Sequence, residues 1–137
     1  MFDQALAPQP KILIVDDEAN LRRLLMVTLN DGRYQLFQAE NGVQALEMAL
    51  RLKPEIIVLD VMMPGGLNGF EVCRQIKENP LLQNTYVILL SALGQKENRD
   101  AGFAAHADAY VVKPFSPINL LDMIDTRHTK NKFSDVT

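Results

Sequence analysis

Short unbroken apolar runs alternate along this chain with stretches in which apolar residues recur every three or four positions. Ile12-Leu13-Ile14-Val15, Ile56-Ile57-Val58-Leu59 and Val87-Ile88-Leu89-Leu90 are the unbroken runs. They are rich in Ile and Val and bounded by polar or turn-forming residues, which suits strands buried on both faces, as in a parallel sheet covered by helices. With their flanks they predict strands over 11–15, 56–60 and 85–90. Residues 34–39 mix polar and apolar positions, so a strand there belongs nearer the sheet edge. Ala109-Tyr110-Val111-Val112 predicts a last strand, ending in Lys113-Pro114.

Helical spacing fills the gaps. Leu21, Leu24, Leu25 and Thr28 define one amphipathic helix over 19–30, and Val43, Leu46 and Leu50 a second over 42–52, opened by Asn41 as a cap and closed before Pro54. Phe70, Cys73 and Ile76 mark a third over 69–78, stopped by Asn79-Pro80. An Ala-rich, weakly amphipathic fourth covers 95–105. Ser116-Pro117 has the form of an N-cap followed by proline at the first helical position, and opens a fifth helix with Ile118, Leu121 and Ile124.

Five successive strand–helix units favour an α/β domain, a doubly wound five-stranded parallel sheet with right-handed crossovers. The 137 residues suffice for one such domain. It is expected over 11–126, after a flexible leader at 1–10 with Pro8 and Pro10, and before a C-terminal tail or start of a linker at 127–137.

Composition adds mainly exclusions. Apolar residues at 47% and charged residues at 23% name no activity, and a net charge of −3 argues against direct nucleic-acid binding, which draws on clustered Lys and Arg. Cys73, the single cysteine, is expected to be a structural thiol. The first ten residues lack the basic flank and apolar core of a secretory signal, and no apolar window is long enough to span a bilayer, so a cytoplasmic location is expected.

The predicted strand ends collect the chemistry. Asp16-Asp17 follows the first strand, Asp60 ends the third, Ser91 follows the fourth and Lys113 the fifth. In an open parallel sheet these ends share one edge, where ligands bind. Any one of them could be merely the first polar residue as a strand surfaces, but three converging carboxylates demand compensation. At 5 Å and an effective dielectric near 20, each pair repels by about 3 kcal/mol. Oxygen ligands without nearby His or Cys suit a hard cation, Mg²⁺ before Zn²⁺. Lys113 adds a charge suited to one phosphoryl oxygen, the Ser91 hydroxyl can donate to another, and Asp60 is placed as the nucleophile.

These residues carry a resemblance. Asp16-Asp17, the Asp60-Val61-Met62-Met63-Pro64 loop, Ser91-Ala92, Tyr110 and Lys113-Pro114-Phe115 together resemble the receiver domain of two-component response regulators, over about residues 11–126. The resemblance implies a flavodoxin-like strand order 2-1-3-4-5, the order for which a chemotaxis member of this family is a standard example. It implies Asp60 as phosphoacceptor and Mg²⁺ held by Asp16, Asp17, Asp60 and the backbone carbonyl of Met62. Lys113 would pair with the phosphoryl group, with Ser91 and Tyr110 as the switch pair and a cis bond before Pro114. The implied partners are a sensor histidine kinase or phosphotransfer protein upstream, and a downstream effector or fused output domain. A homodimer on phosphorylation is also implied, with an output surface on the fourth helix, fifth strand and fifth helix.

The chain departs from the family's common form in places. The loop Met63-Pro64-Gly65-Gly66-Leu67-Asn68-Gly69 is one residue longer, with Asn68 where Asp is usual. His106 stands where a glycine often closes the fourth helix; histidine tolerates a left-handed conformation, so a helix end is expected there. His128 is expected to be solvated. Met62 and Leu93 are apolar where the family often orients a hydrolytic water, which predicts slow self-dephosphorylation. Two other classes compete. An aspartyl phosphatase usually carries a second acid two residues after the nucleophile, where this chain has Met62. A flavin module needs an anion-cradling first loop, which Asp16-Asp17-Glu18 would make repulsive.

Overall fold

The computed structural model describes residues 9–92 and 96–136, with side chains through residue 129. Five strands and five helices alternate: β1 (Lys11–Val15), α1 (Ala19–Leu29), β2 (Gln35–Ala39), α2 (Gly42–Leu52), β3 (Ile56–Asp60), α3 (Gly69–Glu78), β4 (Tyr86–Ser91), α4 (Lys96–Ala104), β5 (Ala109–Val112) and α5 (Pro117–Val136). All strand pairs are parallel and the order is β2-β1-β3-β4-β5. The doubly wound, flavodoxin-like α/β fold expected from the sequence is the one formed. The mixed run at 35–39 lies at one sheet edge, and β3, the most apolar run, is buried along its whole length at the centre.

Alternation along the strands divides the core in two. Leu13, Val15, Ile57, Leu59, Val87 and Leu89 meet the face covered by α2, α3 and α4. Ile12, Ile14, Ile56, Val58, Ile88 and Leu90 meet α1 and α5 through Leu25, Leu29, Leu120 and Ile124. Because both faces are apolar, the strands read as unbroken runs rather than as alternating ones.

Helix faces differ from the expected ones where packing is close. α2 buries Gly42, Ala45 and Ala49, whereas Val43 and Leu50 are exposed. A Cβ on Gly42 would stand 2.8 Å from Leu67 Cβ, so small residues set the contact with the chain entering α3 and the larger ones turn outward. Leu24 in α1 and Ile118 in α5 are likewise exposed, their places inside taken by Leu29 and Leu120. The expected caps form: Asn41 Oδ1 accepts from Gln44 N, and Ser116 Oγ accepts from Asn119 N.

α5 continues through Val136, past residue 126, and is anchored around residues 125–128. His128 is not simply solvated, since its Nδ1 lies 2.9 Å from Glu55 Oε2 and its ring meets Tyr34 edge-on. Tyr34 donates a hydrogen bond to Asp125, and Arg127 stacks over the Tyr86 ring. Leu93, Gln95 and most of the expected leader lie outside the described residues.

Candidate functional site

The sheet delivers each candidate side chain to its carboxyl edge. Asp60 ends β3 opposite Leu90, and the ladder runs one bond further as Val61 N donates to Leu90 O. Asp16 leaves β1 with its N–H on Ala39 O, and Lys113 leaves β5 with its N–H on Ser91 O. These bonds fix where the chain emerges. Asp16, Asp60 and Ser91 are almost fully buried at 1%, 4% and 0% exposure, whereas Asp17 is exposed.

One carboxylate oxygen from each of Asp16, Asp17 and Asp60 lies within 4.8 Å of the others. The Asp16 carboxylate is held from one side, its Oδ1 accepting from Glu18 N at 2.8 Å. Its Oδ2 is buried and accepts no hydrogen bond, although Lys113 Nζ stands 3.5 Å away. A buried carboxylate oxygen left without a donor is costly, and a hard cation among three carboxylates resolves that cost. The donor set, all oxygen, fits Mg²⁺.

Lys113 Nζ also donates to Asp60 Oδ1 at 3.2 Å. Burial opposes the ammonium's charge, but Asp60 and Asp16 outweigh it and hold Lys113 above its ordinary value. Burial, aided by the charge on Asp16, pushes Asp60 up to about 6 despite Lys113. Asp16 is raised too, chiefly by burial, against the Glu18 N–H and Lys113. Both carboxylates are therefore under-compensated by the protein alone.

The loop beyond Asp60 is pinned at both ends. Gly69 N donates to Val61 O at 2.8 Å, and a Cβ on Gly69 would fall 2.4 Å from Asp60 O. Asn68 caps α3 by accepting from Glu71 N at 3.0 Å while Glu71 Oε1 accepts from Asn68 N. Asn caps as well as Asp does, which accounts for the residue at this position. Gly65 and Gly66 both adopt φ +93, a conformation that glycine takes without strain. Met62, exposed, borders the site.

The bond between Lys113 and Pro114 is cis, and His106, at φ 68, closes α4, both as expected. Tyr110 is half-buried on β5 opposite Leu89. One residue at the site escaped the sequence reading. Arg22, one turn into α1, donates from its guanidinium to Asp16 O at 2.7 Å and bridges to Glu40 at 3.6 Å, steadying the turn after β1. Only its spacing from Asp16 could have marked it.

The parallel sheet thus gathers an acidic triad and a lysine at its carboxyl edge, the edge where open α/β sheets bind ligands, and comparison with known proteins identifies the class of domain. The sequence model of the response regulator receiver domain matches residues 12–125. The chain is 49% identical over 109 residues to the transcriptional regulatory protein ResD of Bacillus subtilis, covering 80% of this chain and 44% of that protein. It is 41% identical over 110 residues to the phosphate regulon transcriptional regulatory protein PhoB of Pseudomonas aeruginosa, covering 80% and 48%. Among solved structures, the BeF3-activated DrrB receiver domain superposes with a TM-score of 0.81 at 34% identity, over 89% of this chain and 99% of that one. The chemotaxis response regulator CheY4 of Vibrio cholerae gives 0.80 at 30% identity, over 88% and 99%. This chain belongs to the response regulator receiver domain family. It spans less than half the length of these curated relatives, and no helix among the described residues is long and apolar enough to cross a membrane.

Proposed function

We propose that Asp60 accepts a phosphoryl group from a phosphohistidine of a sensor histidine kinase or phosphotransfer protein. The observation that carries this reading is the single ammonium of Lys113 set against two buried carboxylates, Asp60 and Asp16, inside an acidic triad. With its pKa near 6, Asp60 is mostly ionised at neutral pH and still a competent nucleophile. Lys113 sits on Oδ1, which leaves Oδ2 to form the bond to phosphorus. As that bond forms, the phosphorus–nitrogen bond breaks and its electron pair stays on the departing imidazole. Lys113 would meet the charge on the phosphoryl oxygens, and the Ser91 hydroxyl would donate to one of them.

Asp16, Asp17, Asp60 and the backbone carbonyl of Met62 would hold Mg²⁺. When bound, the ion supplies positive charge to the phosphoryl oxygens. The domain in this reading catalyses its own phosphorylation and a slow dephosphorylation, and turns over no separate substrate.

The acyl phosphate then biases a two-state equilibrium in which Ser91 moves toward it and Tyr110 reorients. The face formed by α4, β5 and α5 changes its partner preference. Phe103 and Ile118, exposed on α4 and α5, supply apolar surface for that contact. A downstream effector, an output domain fused to this one, or a second phosphorylated copy forming a homodimer would dock there. The relatives' names, which mark them as transcriptional regulators, favour the fused output domain. This domain itself would act in the cytoplasm and bind no nucleic acid. The deciding experiment is mass spectrometry after incubation with acetyl phosphate and Mg²⁺. Wild type gains one phosphoryl mass and Asp60→Ala gains none; an unmodified wild type overturns the proposal.

A further inference from the structure

Asp17 is the member of the acidic triad that the protein does least to hold. It is exposed, and among the described residues its side chain takes no hydrogen bond and pairs with no cation. Asp60 is set by β3 and Lys113, and Asp16 by its burial and the Glu18 N–H. Where the Asp17 carboxylate stands is therefore decided by its backbone, and first by the peptide that joins it to Asp16.

That peptide is held from α1. Asp16 N already donates to Ala39 O at 3.2 Å, and Arg22 closes the other side of the residue, its Nη1 donating to Asp16 O at 2.7 Å. A charged donor on a carbonyl makes a strong bond. The rest of the guanidinium is anchored on the end of β2, with Nε donating to Gln38 Oε1 at 3.0 Å and Nη2 lying 3.6 Å from Glu40 Oε1. Only 12% of the Arg22 side chain is exposed, whereas its neighbour Arg23 points into solvent. The planar fork thus spans three acceptors on two segments, a geometry that the point charge of a lysine cannot reproduce.

We propose that Arg22 is a positioning residue for the cation site: by fixing the Asp16–Asp17 peptide it holds the Asp17 carboxylate within reach of the oxygens of Asp16 and Asp60. This rests on the reading of the triad as a Mg²⁺ site, and gives α1 a share in its affinity. The sign of the effect separates positioning from charge. A guanidinium near a divalent cation repels it, so removing Arg22 would tighten binding if charge alone mattered. Loss of aim weakens binding instead, and groups that orient metal ligands are worth about 10- to 100-fold in affinity.

The test is calorimetric titration of the whole chain with Mg²⁺ for wild type, Arg22→Lys and Arg22→Met, alongside ¹⁵N relaxation of the Asp17 backbone amide in the metal-free proteins. Arg22→Lys keeps the charge and Arg22→Met removes it, yet both are expected to weaken Mg²⁺ binding by about tenfold. Both should also lower the order of the Asp17 amide before any ion is added. A merely structural role would lower the urea midpoint and leave the affinity of the folded protein as it was. Affinity in Arg22→Lys within about twofold of wild type, or tighter binding by Arg22→Met, overturns the inference. Should Arg22→Met fail to fold, Arg22→Lys alone decides. A wild type that takes up no Mg²⁺ would sink the reading of the triad and this inference with it, whereas a wild type that binds but is matched by Arg22→Lys sinks this inference alone.

Discussion

Lys113 Nζ lies 3.2 Å from Asp60 Oδ1, close enough for a charged hydrogen bond across the gap between β3 and β5. The same nitrogen is 3.5 Å from Asp16 Oδ2, so one cation serves two buried acids. On the proposed mechanism, replacing Lys113 with Met removes the ammonium that meets phosphoryl charge, 3.2 Å from Asp60 and 3.5 Å from Asp16. Phosphorylation by acetyl phosphate should slow by about 100-fold, the usual effect of deleting one preorganised charge-stabilising group. The rate of phosphoprotein formation measures it, and a change below threefold would remove Lys113 from the mechanism.

Burial of Asp60 predicts a pH-dependent stability deficit. Its folded pKa, about 6, exceeds the ordinary 3.8, so the folded state holds a proton that the unfolded state has already released between those values. Stability from this group is greatest below pH 4 and is lost as pH rises through 6. The displacement corresponds to about 3 kcal/mol. Asp60→Asn in Mg²⁺-free buffer should therefore gain on wild type by roughly 2 to 3 kcal/mol between pH 4 and pH 7. Urea unfolding at both pH values measures the gap; a constant gap contradicts the burial account.

Mg²⁺ should reverse part of that deficit. At ten times its dissociation constant, a ligand binding only the folded state adds about 1.4 kcal/mol, or roughly 3 to 6 °C in Tm for a domain near this size. The rise should disappear on adding EDTA and in Asp17→Asn. A thermal scan that is insensitive to Mg²⁺ would contradict the reading of the triad as a cation site.

Gly69→Ala places a methyl group 2.4 Å from Asp60 O and 2.7 Å from Val61 Cα, both backbone atoms with no way to yield. A loss of about 2 to 3 kcal/mol is expected from such overpacking. At Gly65 nothing lies within 4 Å of an added Cβ, and only the positive φ resists, which should cost Gly65→Ala about 1 kcal/mol. Comparing the two urea midpoints separates crowding from conformational strain.

Met62, apolar and exposed beside Asp60, offers no hydrogen bond to a hydrolytic water. Met62→Asn should shorten the half-life of the acyl phosphate several-fold, followed by loss of the phosphoryl mass with time. An unchanged half-life would detach self-dephosphorylation from this position.

The strand runs were plain in the sequence because burial on both faces makes every position apolar. The acidic pair, Asp60 and Lys113 were plain because a polar residue ending such a run stands out. The helix faces were less so. Val43 and Leu50 have the stronger hydrophobic signal in α2, yet Gly42, Ala45 and Ala49 face inward, because close approach to the chain entering α3 selects for small size. Arg22 acts through a backbone carbonyl, and Gly69 acts through the space it leaves open. Neither kind of role has a residue pattern of its own, since both depend on which segments the sheet brings together.

The capped start of α3 has a consequence for how this site tolerates change. Asn68 and Glu71 clasp one end of the loop and the Gly69–Val61 hydrogen bond draws it back to β3, so the segment between behaves as an eyelet stitched shut at its base. The paired glycines, both at φ +93 with open space around them, lie inside the eyelet and away from its stitched base. The position of the Asp60 carboxylate and the outer contour of the rim above it are thereby separable, so the rim can change shape while the acidic cluster beneath it stays where the sheet holds it.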